Sequence, residues 1–275
     1  MSYQAEVSRS QPGCFVFLLD QSGSMLDAFA TSGTTKAQGV ATAINRLLHE
    51  LVLKCTKNEG VRDYYQLAVL GYGNAQVQAA LGTELELVPI SRVAMMPLRV
   101  EQLKRKVEDG AGGLVQETIR LPIWVDPVAD GDTPMSGALD AAFEIAQRFV
   151  AAHPRSYPPI VINITDGEAT DGDPTPAADR LRALGTDDGT LLLFNCHISS
   201  SAGTPVVFAA STERLPDTYS QELFRMSSRL PPAMVQAAQA EGFRVENGAR
   251  GFAFNADLSD LIRFLDIGTR PAGLR

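Results

Sequence analysis

At 275 residues, 45% of them hydrophobic, the chain is long enough for one large α/β domain and too apolar to be disordered throughout. It sets 24 lysines and arginines against 32 aspartates and glutamates, for a formal charge of −8 and a pI near 5.0. That balance, with no basic stripe, speaks against a broad phosphate-binding surface and sets nucleic acid aside as a partner.

The first thirteen residues are polar, without the apolar run of a secretory leader. No apolar stretch approaches the roughly 20 residues needed to cross a bilayer, so the expectation is a soluble, cytoplasmic protein with no membrane partner. Cys14, Cys55 and Cys196 are odd in number, far apart and set in apolar surroundings, which fits buried reduced thiols better than a disulfide framework or a zinc site.

In chain order, Cys14 to Leu19 is a continuous apolar run, the signature of a strand covered on both faces. A Gly/Ser/Thr-rich loop from Gln21 to Thr35 follows. Val40, Ile44, Leu47, Leu48 and Leu51 then place a helix over Lys36 to Cys55. Tyr65 to Tyr72 predicts a second strand, and Asn74 to Leu87 a short third. Between Pro89 and Val125 the pattern reads as an insertion, with a helix around Val100–Val107, a glycine-rich break at Gly110–Gly113 and an isolated Trp124 acting as a packing anchor.

Asp132-Thr133-Pro134 opens a helix running to Ala152, with Asp132 as its cap. Ile160 to Thr165 predicts a fully apolar strand ending at Asp166-Gly167, Thr175 to Leu184 a helix, and Leu191 to Ile198 another buried strand. The remainder predicts helices at Gln221–Arg229 and Pro232–Glu241, an edge strand at Gly251–Asn255 and a closing helix at Leu258–Asp266. Alternating strands and helices imply a three-layer, doubly wound (Rossmann-like) α/β fold, its mostly parallel sheet covered by helices on both faces. With no repeat and no convincing linker, residues 1–275 are read as one domain, a core of about 13–198 completed by 199–270.

Ligands of such sheets bind beyond the carboxyl ends of the strands, where strand order reverses. Three polar clusters fall at such positions: Asp20, Ser22 and Ser24 after the first strand, Thr133 at a helix start, and Asp166 after Ile160–Thr165. Two carboxylates and three hydroxyls form a hard-oxygen set that suits Mg2+, with Mn2+ or Ca2+ as alternatives. The plainer reading of Ser22 and Ser24 is a turn or an N-cap, since such residues are common after strands. Asp171 and Asp173 read as a solvated acidic turn, His49 and His153 as surface residues, and His197 as packed or hydrogen-bonded at a strand end.

In these residues and their order the chain resembles the von Willebrand factor A (vWA) family. The metal-ion-dependent adhesion site (MIDAS) of that family reads Asp-x-Ser-x-Ser, then a distant Thr, then a distant Asp. The matches are Asp20-Gln21-Ser22-Gly23-Ser24, Thr133 within Gly131-Asp132-Thr133-Pro134-Met135, and Asp166 within Ile164-Thr165-Asp166-Gly167. The resemblance implies that Ser22, Ser24 and Thr133 ligate the metal directly, and that Asp20 and Asp166 act largely through water. It further implies a non-enzymatic module that captures an Asp or Glu of a partner protein. Thr-Pro-Met and the long Thr165–Gly172 turn resemble the intracellular bacterial branch related to tellurium-resistance proteins, which implies stress-response or signalling assemblies with kinase, phosphatase or AAA+ partners. The chain departs from the compact pattern in a long Leu26–Thr35 loop, the Pro89–Val125 insertion and an enlarged Ser199–Gly251 segment, none of which removes a ligand.

Two other functions compete. A phosphotransferase of the haloacid-dehalogenase type also places an Asp after its first strand, but needs an acid/base Asp where Ser22 stands. A structural scaffold subunit without metal dependence is the third.

Overall fold

A computed structural model describes residues 2–29, 33–108, 114–198 and 204–269. Strand β1 (Gly13–Asp20) is buried along its whole length, and helix α1 (Lys36–Cys55) follows it. β2 (Tyr65–Gly73), β3 (Gln76–Ala79), β4 (Val88–Pro89) and a short α2 (Ile90–Met95) precede a ribbon of β5 (Arg99–Glu108) and β6 (Leu114–Ile123). Then come α3 (Met135–Ala152), β7 (Ile160–Thr165), α4 (Thr175–Ala183), β8 (Leu192–Ile198) and β9 (Val206–Val207). The chain closes with α5 (Thr218–Met226), α6 (Pro232–Ala240), β10 (Phe252–Ala256) and α7 (Leu258–Gly268). Two-residue ribbons at Thr56–Lys57 with Gly60–Val61, and at Gly185–Thr186 with Gly189–Thr190, lie outside the main sheet.

The main sheet runs β9-β10-β8-β7-β1-β2-β3, with β4 also on β2. Pairings among β2, β1, β7, β8 and β10 are parallel, and β3, β4 and β9 join antiparallel at the margins. The fold is therefore the α/β, mostly parallel, doubly wound sheet expected.

Alternation along β1 explains the layers. Phe15, Phe17 and Leu19 point into one core with α1, α2, α6 and α7, while Cys14, Val16 and Leu18 point into another with α3, α4 and α5. Each fully buried Phe or Leu contributes about 1.5–3 kcal/mol relative to exposure, so both faces of this strand hold the sheet between its helix layers. From β1 the chain winds outward through β2 and β3, then returns to the other side of β1 with β7. Strand order thus reverses between β1 and β7, whose carboxyl ends carry Asp20 and Asp166.

Four expectations need correction. The Val100–Val107 segment is strand, not helix: all ten residues of β5 pair antiparallel with β6, and this long-range pairing overrides the helix-like spacing of Val100, Leu103 and Val107. The Gly110–Gly113 break lies outside the described residues. The Gly251–Asn255 strand, seen as Phe252–Ala256, is not an edge, because Val206–Val207 pairs along its outer side. The predicted helix at Gln221–Arg229 begins three residues earlier, at Thr218, where the Asp217 carboxylate accepts from Ser220 N at 2.6 Å.

Finally, β7 is not apolar throughout. Asn163, fully buried, accepts from Tyr72 Oη at 2.7 Å and donates to Asn195 Oδ1 at 3.0 Å. Asn195 in turn donates to Ser227 Oγ at 3.0 Å and to the Leu223 carbonyl at 3.2 Å. This relay joins β2, β7 and β8 to the end of α5 through polar groups that are each satisfied.

Candidate metal centre

Backbone hydrogen bonds draw three loops together at the carboxyl end of β1. Gln21 N donates to Tyr72 O at 2.8 Å, Asp130 N to Gln21 O at 2.6 Å, and Gly23 N to Gly131 O at 2.9 Å. Two glycines permit that closeness. A Cβ on Gly73 would stand 2.6 Å from Gln21 O, and one on Gly131, whose φ is +68°, would stand 2.6 Å from Asn74 Cα.

Within this frame Asp20 is 1% exposed. Its Oδ1 accepts from Ser22 N at 2.8 Å and its Oδ2 from the Thr165 hydroxyl at 2.7 Å. Burial pushes the Asp20 carboxyl above the ordinary carboxylate range, the bonds from Ser22 and Thr165 pull it down, and the charge of Asp166 adds to the upward push.

Ser22 stands at the N-cap position of a 3-10 turn, Gly23–Leu26, yet its side chain makes no capping hydrogen bond. Its Oγ lies 3.1 Å from Ser24 Oγ instead, and Ser24 Oγ donates to Asp166 Oδ1 at 2.8 Å. The turn-capping role weighed for this serine is therefore not the one its hydroxyl plays. Thr133 is buried directly before α3. A Cβ placed on Gly167 would lie 3.8 Å from both Ser24 Oγ and Thr133 Oγ1, so these hydroxyls face a shared space beside a residue with no side chain. Asp20, Ser22, Ser24, Thr133 and Asp166 thus lie close to one another at this end of the sheet.

Asp132 is exposed and does not serve as the cap of α3. Asp171 does that work from across the site, its oxygens accepting from Ser136 N at 3.0 Å and Gly137 N at 2.8 Å. Thr170 joins it: its Oγ1 accepts from Thr133 N, and its own N–H donates to Thr133 O, both at 3.0 Å. Asp173 accepts from Thr175 N at 2.8 Å, and that bond holds its carboxyl below the ordinary range. The acidic turn therefore positions helices as well as meeting solvent.

Two further residues escaped the sequence reading. Thr165 buttresses Asp20, and its only signal was a hydroxyl at the end of an otherwise aliphatic strand. Lys36 reaches into the site, with Nζ 2.6 Å from Asp166 Oδ2. Its position at the head of α1 gave no hint of that contact.

His197 is stacked on Phe254, ring centroids 4.8 Å apart and 12° from parallel, and its Nδ1 is buried without a hydrogen-bond partner among the described residues. Burial lowers its pKa to about 4, with Lys36 acting in the same direction and Asp217 and Asp166 against it. As pH falls below 6.5 the unfolded chain takes up a proton that folded His197 refuses. The stability this contributes is full above 6.5 and is lost as pH falls toward 4, on the order of 3 kcal/mol across the window. Urea titrations at pH 7 and pH 4.5 should therefore differ less for H197F than for the unaltered protein; equal differences would mean His197 is not held neutral.

Among the described residues no group of three or more His, Cys, Asp or Glu side chains is arranged to hold a metal, so any cation here would depend on the hydroxyls as much as on the two carboxylates. No helix among them is long and apolar enough to cross a membrane.

No family model matches the chain, and no curated protein matches it. Among solved structures it is similar to the VWA domain of SpRpn10, at a TM-score of 0.38 and 10% identity, covering 70% of this chain and 77% of that one. The pilus adhesin SpaC from Lactobacillus rhamnosus GG matches at a TM-score of 0.49 and 12% identity over 96% of this chain, but only 31% of its own. For the minor pilin PilB from Streptococcus sanguinis the values are 0.47 and 10%, over 94% of this chain and 61% of its own. Likeness this distant says nothing of activity; the architecture stands on the chain's own strand order.

Proposed function

We propose that the chain is a non-enzymatic interaction module of the vWA type. In this reading Asp20, Ser22, Ser24, Thr133 and Asp166 hold one divalent cation, Mg2+ first and Mn2+ or Ca2+ as alternatives, against which a partner protein places an Asp or Glu. The observation that carries it is Asp20: a carboxylate 1% exposed whose hydrogen-bond donors among the described residues are all neutral. An ionised carboxylate buried without a cation is costly, so such groups are paired, protonated or metal-bound. Lys36 is paired to Asp166, not to Asp20. The donors that converge are oxygens throughout, the set Mg2+ prefers.

When bound, the cation supplies a coordination position that one more carboxylate oxygen can fill. Ser22, Ser24 and Thr133 present neutral hydroxyls toward the shared space, Asp20 and Asp166 present the charge, and Gly167 leaves room. Asp20 is poorly placed to act as a phosphotransferase nucleophile, because both of its oxygens accept hydrogen bonds and it is almost wholly covered. Ser22 also stands where that chemistry needs an acid.

By the resemblance of the motifs, the setting is a cytoplasmic bacterial assembly for stress response or signalling, with kinase, phosphatase or AAA+ partners. Three free, buried cysteines suit a reducing compartment.

The test begins with chelator-treated protein. Added Mg2+ should raise its melting temperature and give a saturable heat in calorimetry, because a ligand that binds only the native state must stabilise it. Identical melting curves with chelator and with excess Mg2+, and no heat, would leave the metal-independent scaffold standing. Mg2+-dependent turnover of a generic phosphate ester would favour the enzyme.

A further inference from the structure

We infer that Lys36 is a built-in counter-cation: it restrains the site's affinity for its metal and leaves the loaded site with surplus positive charge for a partner's carboxylate. The inference rests on the metal reading above and concerns how that site is tuned.

The Lys36 side chain is 5% exposed and that of Asp166 is fully covered, with Nζ 2.6 Å from Oδ2. Lysine is almost never buried unless paired. Nζ also approaches Asp27 Oδ2 at 3.4 Å, a carboxylate 62% exposed, and the Ser24 carbonyl at 3.5 Å. The opposite oxygen of Asp166, Oδ1, accepts from Ser24 Oγ, so one carboxylate stands between the ammonium and a candidate ligand.

Helix propensity does not explain this lysine. It is the first residue of α1, where the helix dipole disfavours a cation and favours an acid. A capping box already satisfies that end, Gln38 N donating to Thr35 Oγ1 and Thr35 N to Gln38 Oε1. The surrounding loop is built to deliver the side chain. Asp27 N donates to Ser24 O and Lys36 N to Asp27 O, both at 3.0 Å, and Ala28 bridges Thr35. Lys36 is thereby tied to the turn that carries Ser24.

Charge counting gives the consequence. Asp27, 62% exposed, is screened by solvent and does not enter the count. Asp20, Asp166 and Lys36 together carry a formal −1, so a divalent cation brings these covered groups to +1. Without Lys36 the carboxylates alone would carry −2 and be neutralised outright, leaving less attraction for a further anion. Ligand charge sets cation affinity in oxygen sites, so Lys36 weakens the hold on the metal and strengthens the hold on the partner.

Mn2+ is the probe, titrated by calorimetry into the full chain, its Lys36→Met variant and its Lys36→Arg variant. K36M should bind Mn2+ about tenfold more tightly or better, and K36R should match the unaltered protein. Because K36M leaves Asp166 without its cation, melting temperatures with chelator and with saturating Mn2+ are measured too, and the Mn2+-induced rise should be larger for K36M. With all three proteins saturated in Mn2+, acetate should bind K36M less tightly than the unaltered chain.

Mn2+ bound by K36M with equal or lower affinity overturns the inference and leaves the metal reading intact, as does a K36M that stays unfolded in excess Mn2+. Equal acetate affinity overturns its second half. Absence of Mn2+ binding by every protein overturns the metal reading and this inference with it.

Discussion

Thr133→Ala should weaken Mg2+ binding by on the order of 100-fold or more while shifting unfolding free energy by no more than about 1 kcal/mol. Replacing a group that merely orients a ligand costs 10–100-fold in typical metal sites, and a direct donor should cost at least the upper figure. The fold tolerates the change because Thr133 is held through its backbone: its N–H donates to Thr170 Oγ1, and its carbonyl accepts from Thr170 N and Met135 N. Alanine keeps all three bonds and loses only the hydroxyl. Asp20→Ala is a poorer experiment. It strips the acceptor from Ser22 N and from the Thr165 hydroxyl, and each orphaned buried donor costs about 1–3 kcal/mol. Calorimetric titration paired with urea unfolding separates the outcomes. A T133A protein that binds Mg2+ as the unaltered chain does would remove Thr133 from the site.

The second large effect is on stability. Trp124→Ala should lower unfolding free energy by about 3–5 kcal/mol, read from the urea midpoint by circular dichroism. Fluorescence would not serve, since Trp124 is the sole tryptophan of the chain. The indole is 2% exposed, and its Nε1 donates to the Val93 carbonyl at 2.7 Å, tying the base of the β5–β6 ribbon to α2. Removing it opens a cavity in the α1-side core and takes one of two donors from the Val93 carbonyl, which keeps Met96 N at 3.2 Å. The Asn45 carboxamide, which accepts from Trp124 N at 2.8 Å and Val125 N at 3.0 Å, stays in place, so the backbone there keeps its anchor. A loss under about 1 kcal/mol would mean that the site collapses around the smaller side chain and that Trp124 is not the anchor.

What could be read from residues alone follows from how local each signal is. The apolar run of β1 and the helical period of α1 concern contiguous residues, and both elements stand where the pattern put them. The five candidate ligands were legible because each sits at the end of a strand or the start of a helix, where the fold must gather them. Lys36 was not legible, because its partner is 130 residues away and its own position argued for solvent. Thr165 was passed over as the end of a strand, and Asp171 as a wet turn, although it caps a helix 34 residues upstream. The ribbon was misread for the same reason: Val100, Leu103 and Val107 satisfy a helical period, and only pairing with Leu114–Ile123 decides against it. Long-range partners, invisible to periodicity, account for these misses, whereas the late start predicted for α5 overlooked a local cap, Asp217 on Ser220 N.

The hydrogen-bonded line from Tyr72 through Asn163 and Asn195 to Ser227 bears on how the strands under the site are aligned. A parallel sheet of aliphatic strands has little to oppose a slip by two residues, which keeps every side chain on its own face. Here such a slip would leave amides and a phenol dry, at about 1–3 kcal/mol for each group left unbonded. The line therefore works as an alignment key: it allows one relative setting of β2, β7 and β8, while the Thr165 hydroxyl bonded to Asp20 at 2.7 Å sets β1 against β7 beside Asp166.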